Sequence, residues 1–162
     1  MTVTIRPTPP DHPQALALIE QLNAYLASLY DPEDVYILDL ESLRLPSVTF
    51  LGAWDGDRLV GCGAVRLMDA ETATEGRPYG EIKRMMVSPA RRGERIGERI
   101  LDALEQQLRE RGIDRALLET GPPQVEAVRL YTRCGYTARG TYSDYPDNPA
   151  SSVFMEKRWT PA

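Results

Sequence analysis

Apolar residues recur at helical spacing in three stretches of the chain. Ala15, Leu16, Leu18, Ile19, Leu22, Tyr25, Leu26 and Leu29 predict a first helix, with Asp11 placed to cap it, Pro13 in its first turn and Asp31-Pro32 at its end. Ile96, Ile100, Leu101, Leu104 and Leu108 fall on one stripe and predict a helix over 95–111, closed by Gly112. A third helix is predicted over 124–134, ended by Gly135, and a shorter helical piece over 33–45, ended by Pro46. Short apolar or alternating runs predict strands at 2–6, 48–51, 59–65, 81–87, 116–119, 136–139 and 152–157. Asp55-Gly56-Asp57 is a hairpin signal, and Pro89, with no N–H for a ladder, stops the strand before it. Residues 69–79 and 142–149 read as loops. The order implies an α+β fold, a mixed, mostly antiparallel central sheet flanked by helices.

A length of 162 residues suits a single domain over 1–162, and 42% apolar with 27% charged residues is an ordinary globular mix. The net charge of −5 argues against broad nucleic-acid binding. Arg91, Arg92, Arg95 and Arg99 nonetheless cluster within nine residues, on a helix that also carries acidic residues 94, 98, 102 and 105. One local basic spot on an acidic protein suits a small anion better than a duplex. Two cysteines, Cys62 and Cys134, and one histidine, His12, give no metal-ligand spacing and no disulfide framework. No apolar run follows a basic start at the N-terminus and none approaches a membrane span, so a cytoplasmic location with reduced thiols is expected.

The sharpest chemical signal is Val87-Ser-Pro-Ala-Arg91-Arg92-Gly93-Glu94-Arg95-Ile96-Gly97, lying between a strand and a long amphipathic helix. Strand, basic-glycine turn and helix together aim helix N–H groups and the positive dipole end at an anion. Read alone, the same arginines would coat a solvated helix face.

Four segments in order resemble the GNAT superfamily of acyl-CoA-dependent N-acetyltransferases, in its bacterial small-molecule subgroup. Arg92-Gly-Glu-Arg-Ile-Gly97 resembles the family's pyrophosphate loop, and Glu81-Ile-Lys-Arg-Met-Met-Val-Ser-Pro89 the strand before it. Glu126-Ala-Val-Arg-Leu-Tyr131 with Cys134-Gly-Tyr136 resembles the family's Ala-x-x-Leu-Tyr segment, and Asn148-Pro-Ala-Ser-Ser-Val-Phe-Met155 its closing strand. The likeness runs from about residue 3 to 158.

The resemblance implies acetyl-CoA as cosubstrate and no metal. It assigns cofactor contacts to Met86 and Val87 on the strand, to Arg92, Gly93, Glu94, Arg95, Ile96, Gly97 and Glu98 in the turn, and to Gln124. Tyr131 becomes the general acid for the leaving thiolate and Glu81 the base through water, with Glu119 as the other candidate base. Tyr30, Tyr142 and Tyr145 are expected to line the acceptor pocket, the 142–149 segment folding over it as a stiff lid. Arg95 departs from the pattern, because a glycine normally stands there. It can serve if its φ stays negative with the side chain outward, and its guanidinium can either reach phosphate or weaken binding.

The expected activity is therefore acetyl transfer from acetyl-CoA to a small-molecule amine in a ternary complex, with neither nucleic acid nor membrane as partner and homodimer assembly left open. A protein or peptide N-acetyltransferase and a non-catalytic acyl-CoA sensor are the alternatives. Tyr131 and Glu81 together favour an enzyme.

Overall fold

A computed structural model describes residues 2–160. Along the chain come β1 (Val3–Pro7), α1 (Pro13–Leu29), α2 (Leu40–Leu43), β2 (Val48–Asp55), β3 (Arg58–Met68), β4 (Tyr79–Val87), α3 (Ile96–Glu110), β5 (Arg115–Thr120), α4 (Val125–Arg133), β6 (Thr137–Arg139) and β7 (Val153–Arg158). The strand order is β1-β2-β3-β4-β5-β7-β6. Pairing is antiparallel for β1/β2, β2/β3, β5/β7 and β6/β7, while β4 and β5 run parallel through Gly80↔Ala116 and Glu81↔Leu117. This is the mixed, mostly antiparallel sheet expected from the sequence. Pro7 is tolerated because β1 is an edge strand.

The chain forms two compact units, one holding residues up to Arg66 with Lys83–Leu104, the other Leu67–Ile82 with the residues from Glu105 on. In the first, Ala15, Leu18 and Leu22 of α1 pack with Leu38, Leu43, Phe50, Trp54, Cys62, Ala64 and Met86. The β2–β3 hairpin closes on Gly56-Asp57 between the paired Asp55 and Arg58, and Gly56 takes φ +60, which suits a glycine in a two-residue loop. Gly61 and Gly63 of β3 give α3 a close approach: a Cβ on Gly63 would lie 2.8 Å from Ile100 and 3.2 Å from Leu104. Ile96, Ile100, Leu101, Leu104 and Leu108 are all buried, as their stripe predicts.

Two local expectations are corrected. His12, not Asp11, caps α1: its Nδ1 accepts the Gln14 N–H at 3.1 Å, and Asp11 instead pairs with Arg44. The 33–45 helix is only a 3-10 turn at Pro32–Asp34 and the single-turn α2. Val35, Tyr36 and Ile37 favour extended backbone, and Asp39 starts α2 afresh by accepting the Ser42 N–H at 2.8 Å.

In the second unit, α3 ends at Gly112 (φ +73): Ile113 N–H reaches Leu108 O at 3.0 Å and Gly112 N–H reaches Arg109 O at 3.1 Å. The core there is built on Tyr79, Leu117, Tyr142 and Phe154.

Replacing Gly63 by Val is expected to destabilise the protein by about 1–3 kcal/mol, because Ile100 and Leu104 have no room for a branched side chain. Urea unfolding of the two proteins measures this.

Candidate active site

The turn after β4 is rigidly made. Ser88 N–H donates to Val60 O at 2.9 Å, and Pro89–Arg91 form one 3-10 turn. Arg91 then braces the loop: Nε and Nη2 donate to the Glu94 carboxylate at 2.9 and 3.1 Å, and Nη1 to Asp55 at 2.9 Å. Gly93 has φ +84 with open space where a Cβ would stand, and α3 begins at Ile96. Alternating backbone hands curl successive N–H groups into a concavity, and the first turn of a helix adds N–H groups with no intrahelical acceptor. This geometry fits a pyrophosphate.

Arg95 also lies in the left-handed region, with φ +61. The condition of a negative φ is not met: the chain needs the conformation that a glycine would take here, and Arg95 takes it at a cost of about 1–2 kcal/mol. Its side chain is 79% exposed and 3.6 Å from Glu98. Arg92 is exposed as well. The Glu94 carboxylate is held by Arg91, which leaves its main chain for a ligand.

In the second unit, Tyr131 is fixed by the end of its helix. Gly135, at φ +96, turns the chain so that Tyr136 N–H donates to Tyr131 O at 2.9 Å, and the two rings pack 5.8 Å apart. Tyr136 is held in turn by Glu105, which accepts its hydroxyl at 3.0 Å and the Lys157 ammonium at 2.7 Å. Tyr131 is 7% exposed, and its hydroxyl makes no hydrogen bond among the described residues. Burial, with the nearby Cys134 and Glu119, pushes its phenol well above the ordinary range.

Glu81, Tyr142 and Tyr145 come together. One oxygen of the fully buried Glu81 carboxylate accepts the Tyr142 hydroxyl at 2.6 Å and the Tyr145 hydroxyl at 2.7 Å. Tyr142 is 1% exposed and packs against Tyr79, Tyr145 and Phe154, so its ring belongs to the core and not to a lid surface. Burial first, then the Glu81 charge, raises its phenol. Glu71 pins the segment by accepting the Tyr79 hydroxyl at 2.7 Å and the Ser143 N–H at 2.6 Å. Glu119 accepts the Ser152 hydroxyl at 2.9 Å. Gln124 stands at the N-cap of α4 without a side-chain cap bond, and Tyr30 closes α1 through its N–H on Leu26 O at 3.1 Å. Met86 is buried in the α1-facing core and Val87 is half-buried at the strand end.

One feature escaped the sequence reading. Arg84 has φ +59 inside β4 and is 7% exposed. Its carbonyl accepts the Cys62 thiol at 3.5 Å, its Nη2 donates to Asn23 Oδ1 at 2.5 Å, and the neighbouring Lys83 Nζ donates to Tyr36 O at 3.3 Å. The signal was two adjacent cations inside an apolar strand. Burial lowers the Arg84 guanidinium and pushes the Cys62 thiol up to about 12.

The Acetyltransferase (GNAT) family matches this chain over residues 15–136. The chain belongs to that family and is an acetyl-CoA-dependent N-acetyltransferase. It is 41% identical over 155 residues to an IAA acetyltransferase of Azospirillum brasilense, covering 96% of this chain and 97% of that one. It is 33% identical over 147 residues to the uncharacterized N-acetyltransferase YsnE of Bacillus subtilis, covering 90% and 92%. A crystal structure from Klebsiella pneumoniae, described as an acyl-CoA N-acyltransferase, superposes with a TM-score of 0.79 at 37% identity over 97% of both chains. The PaiA N-acetyltransferase of Thermoplasma acidophilum, solved with coenzyme A, shares the fold at a TM-score of 0.72 and 19% identity, covering 98% of this chain and 100% of that one.

Arg95→Gly should keep or raise the thermal midpoint, since relief of the left-handed strain offsets the added chain entropy. A clear fall would show that the side chain stabilises the turn. The raised Cys62 thiol sets an alkaline window. Above pH 9.0 the unfolded thiol loses its proton while the folded one keeps it to about 12. Stability is thus fully present below that window and falls as pH rises through it. Cys62→Ala should flatten the decline in denaturant midpoints between pH 9 and 11.

Proposed function

We propose that this single acetyltransferase domain moves the acetyl group of acetyl-CoA directly to the amine of a small molecule, both substrates being bound at once, in the cytoplasm. The observation that carries the reading is Tyr131: a buried phenol, fixed by a helix cap, whose proton stays on oxygen at neutral pH and whose hydroxyl no described residue engages. The main-chain N–H groups of 93–98 take the pyrophosphate, helped by Arg92, and the main chain of Met86 and Val87 takes the pantetheine arm. Gln124, at the start of α4, completes the cofactor contacts.

Glu81 removes the ammonium proton through water, and the neutral amine attacks the thioester carbonyl. The carbon–sulfur bond breaks, Tyr131 gives its proton to the departing sulfur, and the proton on the new amide nitrogen leaves to water. Tyr142 and Tyr145 hold the Glu81 carboxylate in place, and Tyr145, the less buried of the two, reaches the acceptor together with Tyr30. A covalent acetyl-cysteine is unfavourable: Cys62 is buried with its thiol raised to about 12, and His12 spends Nδ1 on the α1 cap. A small acceptor suits the 142–149 segment, whose tyrosines turn inward instead of leaving an open groove for a peptide.

Tyr131→Phe is expected to lower kcat about 100-fold with little change in the KM for acetyl-CoA. Glu81→Gln should act the same way. A screen of free amines and basic peptides, read by release of CoA thiol, checks both. An unimpaired Tyr131→Phe enzyme, or faster transfer to peptides than to any free amine, would overturn the reading.

A further inference from the structure

We infer that Arg84 is the anion-recognition residue of the acceptor site and that the amine acceptor carries a carboxylate. This rests on the transfer reading above and narrows its substrate class to amino-acid-like molecules.

Among the described residues, the buried Glu81 carboxylate is held by two phenol hydroxyls, and Arg115, Glu105 and Arg139 each have an opposite charge beside them. Arg115, 4% exposed, meets Asp114 at 3.0 Å. Glu105, 2% exposed, meets Lys157 at 2.7 Å, and Arg139 meets Glu156 at 2.7 Å. Arg84 differs. It is 7% exposed, its one side-chain partner among the described residues is the neutral amide of Asn23, and its Nε, fully buried, has none. A guanidinium out of water without a counter-charge is costly, and proteins seldom keep one unless a ligand supplies the charge.

The backbone points the same way. In a regular strand Lys83 and Arg84 would face opposite sides. With φ +59 at Arg84, Arg84 reaches α1 at Asn23 while Lys83 reaches Tyr36 in the segment joining α1 to α2. Strain of this kind in a non-glycine residue concentrates at functional positions. A planar guanidinium with unpaired N–H donors matches a carboxylate, and its single charge matches a monoanion better than a phosphate. The pyrophosphate already has its own cradle at 93–98, so the cosubstrate does not need Arg84.

The test compares α-amino acids with their carboxamides in CoA-thiol release at saturating acetyl-CoA. The acids should exceed the amides about tenfold or more in kcat/KM. Arg84→Gln and Arg84→Met should both bring that ratio toward one, with the acetyl-CoA dissociation constant held and the ligand-free thermal midpoint held or raised. Amides used as well as acids, a ratio that survives both variants, or lost acetyl-CoA affinity would overturn the inference. So would a lowered ligand-free midpoint with acids and amides slowed alike, the mark of a structural arginine. A second arm needs no turnover: N-acetylamino acids and their amides are titrated into the CoA-loaded protein by thermal shift. Stabilisation by the acids alone supports the inference even if no amine is acetylated, a result that would end the transfer reading. No shift with any acid overturns the inference whatever the turnover.

Discussion

The left-handed turn of the backbone at Arg84 is the constraint on which the business end of β4 depends. It costs about 1–2 kcal/mol in a residue with a Cβ, and the surroundings hold it. The Cys62 thiol donates to the Arg84 carbonyl, and Asn23 takes one edge of the guanidinium. Beyond the turn, Met86 enters the core under α1, while Met85 lies against Gly63 on the side that faces α3. Burying one such apolar side chain is worth about 1.5–3 kcal/mol. The irregularity is therefore sustained by packing on both faces of the strand, and it delivers Lys83 and Arg84 toward α1 and the segment after it.

The candidate functional atoms are placed by helix ends more than by loops. Gly135 closes α4 and locks Tyr136 against Tyr131, and Glu105 with Lys157 fixes Tyr136 from behind. The start of α3 is set by the Arg91 fork to Glu94 and Asp55, which holds the turn while its main-chain N–H groups remain oriented. In both places a charged or aromatic side chain serves as a brace, and the backbone or phenol beside it is the group to which the proposed reading gives the chemistry.

What periodicity controls was legible. The stripe of α3, the glycine stops at Gly112 and Gly135 and the hairpin at Gly56 all fall where the sequence puts them. Where two local signals compete, the reading failed: Asp11 and His12 are both able to cap α1, and tertiary pairing with Arg44 decides between them. The 33–45 segment lost its helix because β-branched and aromatic residues interrupt it. Of the candidate site residues, the structure brings Glu81, Tyr142 and Tyr145 together and sets the turn at 92–97 between β4 and α3. The inward fold of Tyr142 onto Glu81, 61 positions away, was not legible, because no local pattern encodes a long-range hydrogen bond. The positive φ of Arg95 was hidden for a related reason, since the neighbours that impose a strained backbone are not written at the strained residue.

Two charged residues on β4 are buried for opposite ends. Glu81 is satisfied within the protein, two phenols converging on one oxygen, so its position is sharply defined before any ligand arrives. Arg84, three positions further along the strand, has only a neutral amide as side-chain partner among the described residues. A fold shared with many acetyltransferases cannot decide between acceptors, because that choice lies in side chains grafted onto the common sheet. A core strand that spends two of its nine positions on buried, oppositely charged groups gives up stability that apolar residues would have supplied. Such an exchange persists where the groups act on something the folded chain does not itself contain. On the proposed reading Glu81 serves proton transfer, and its carboxylate is held still for it by two phenols. Arg84 is suited to recognition because its charge is not yet neutralised.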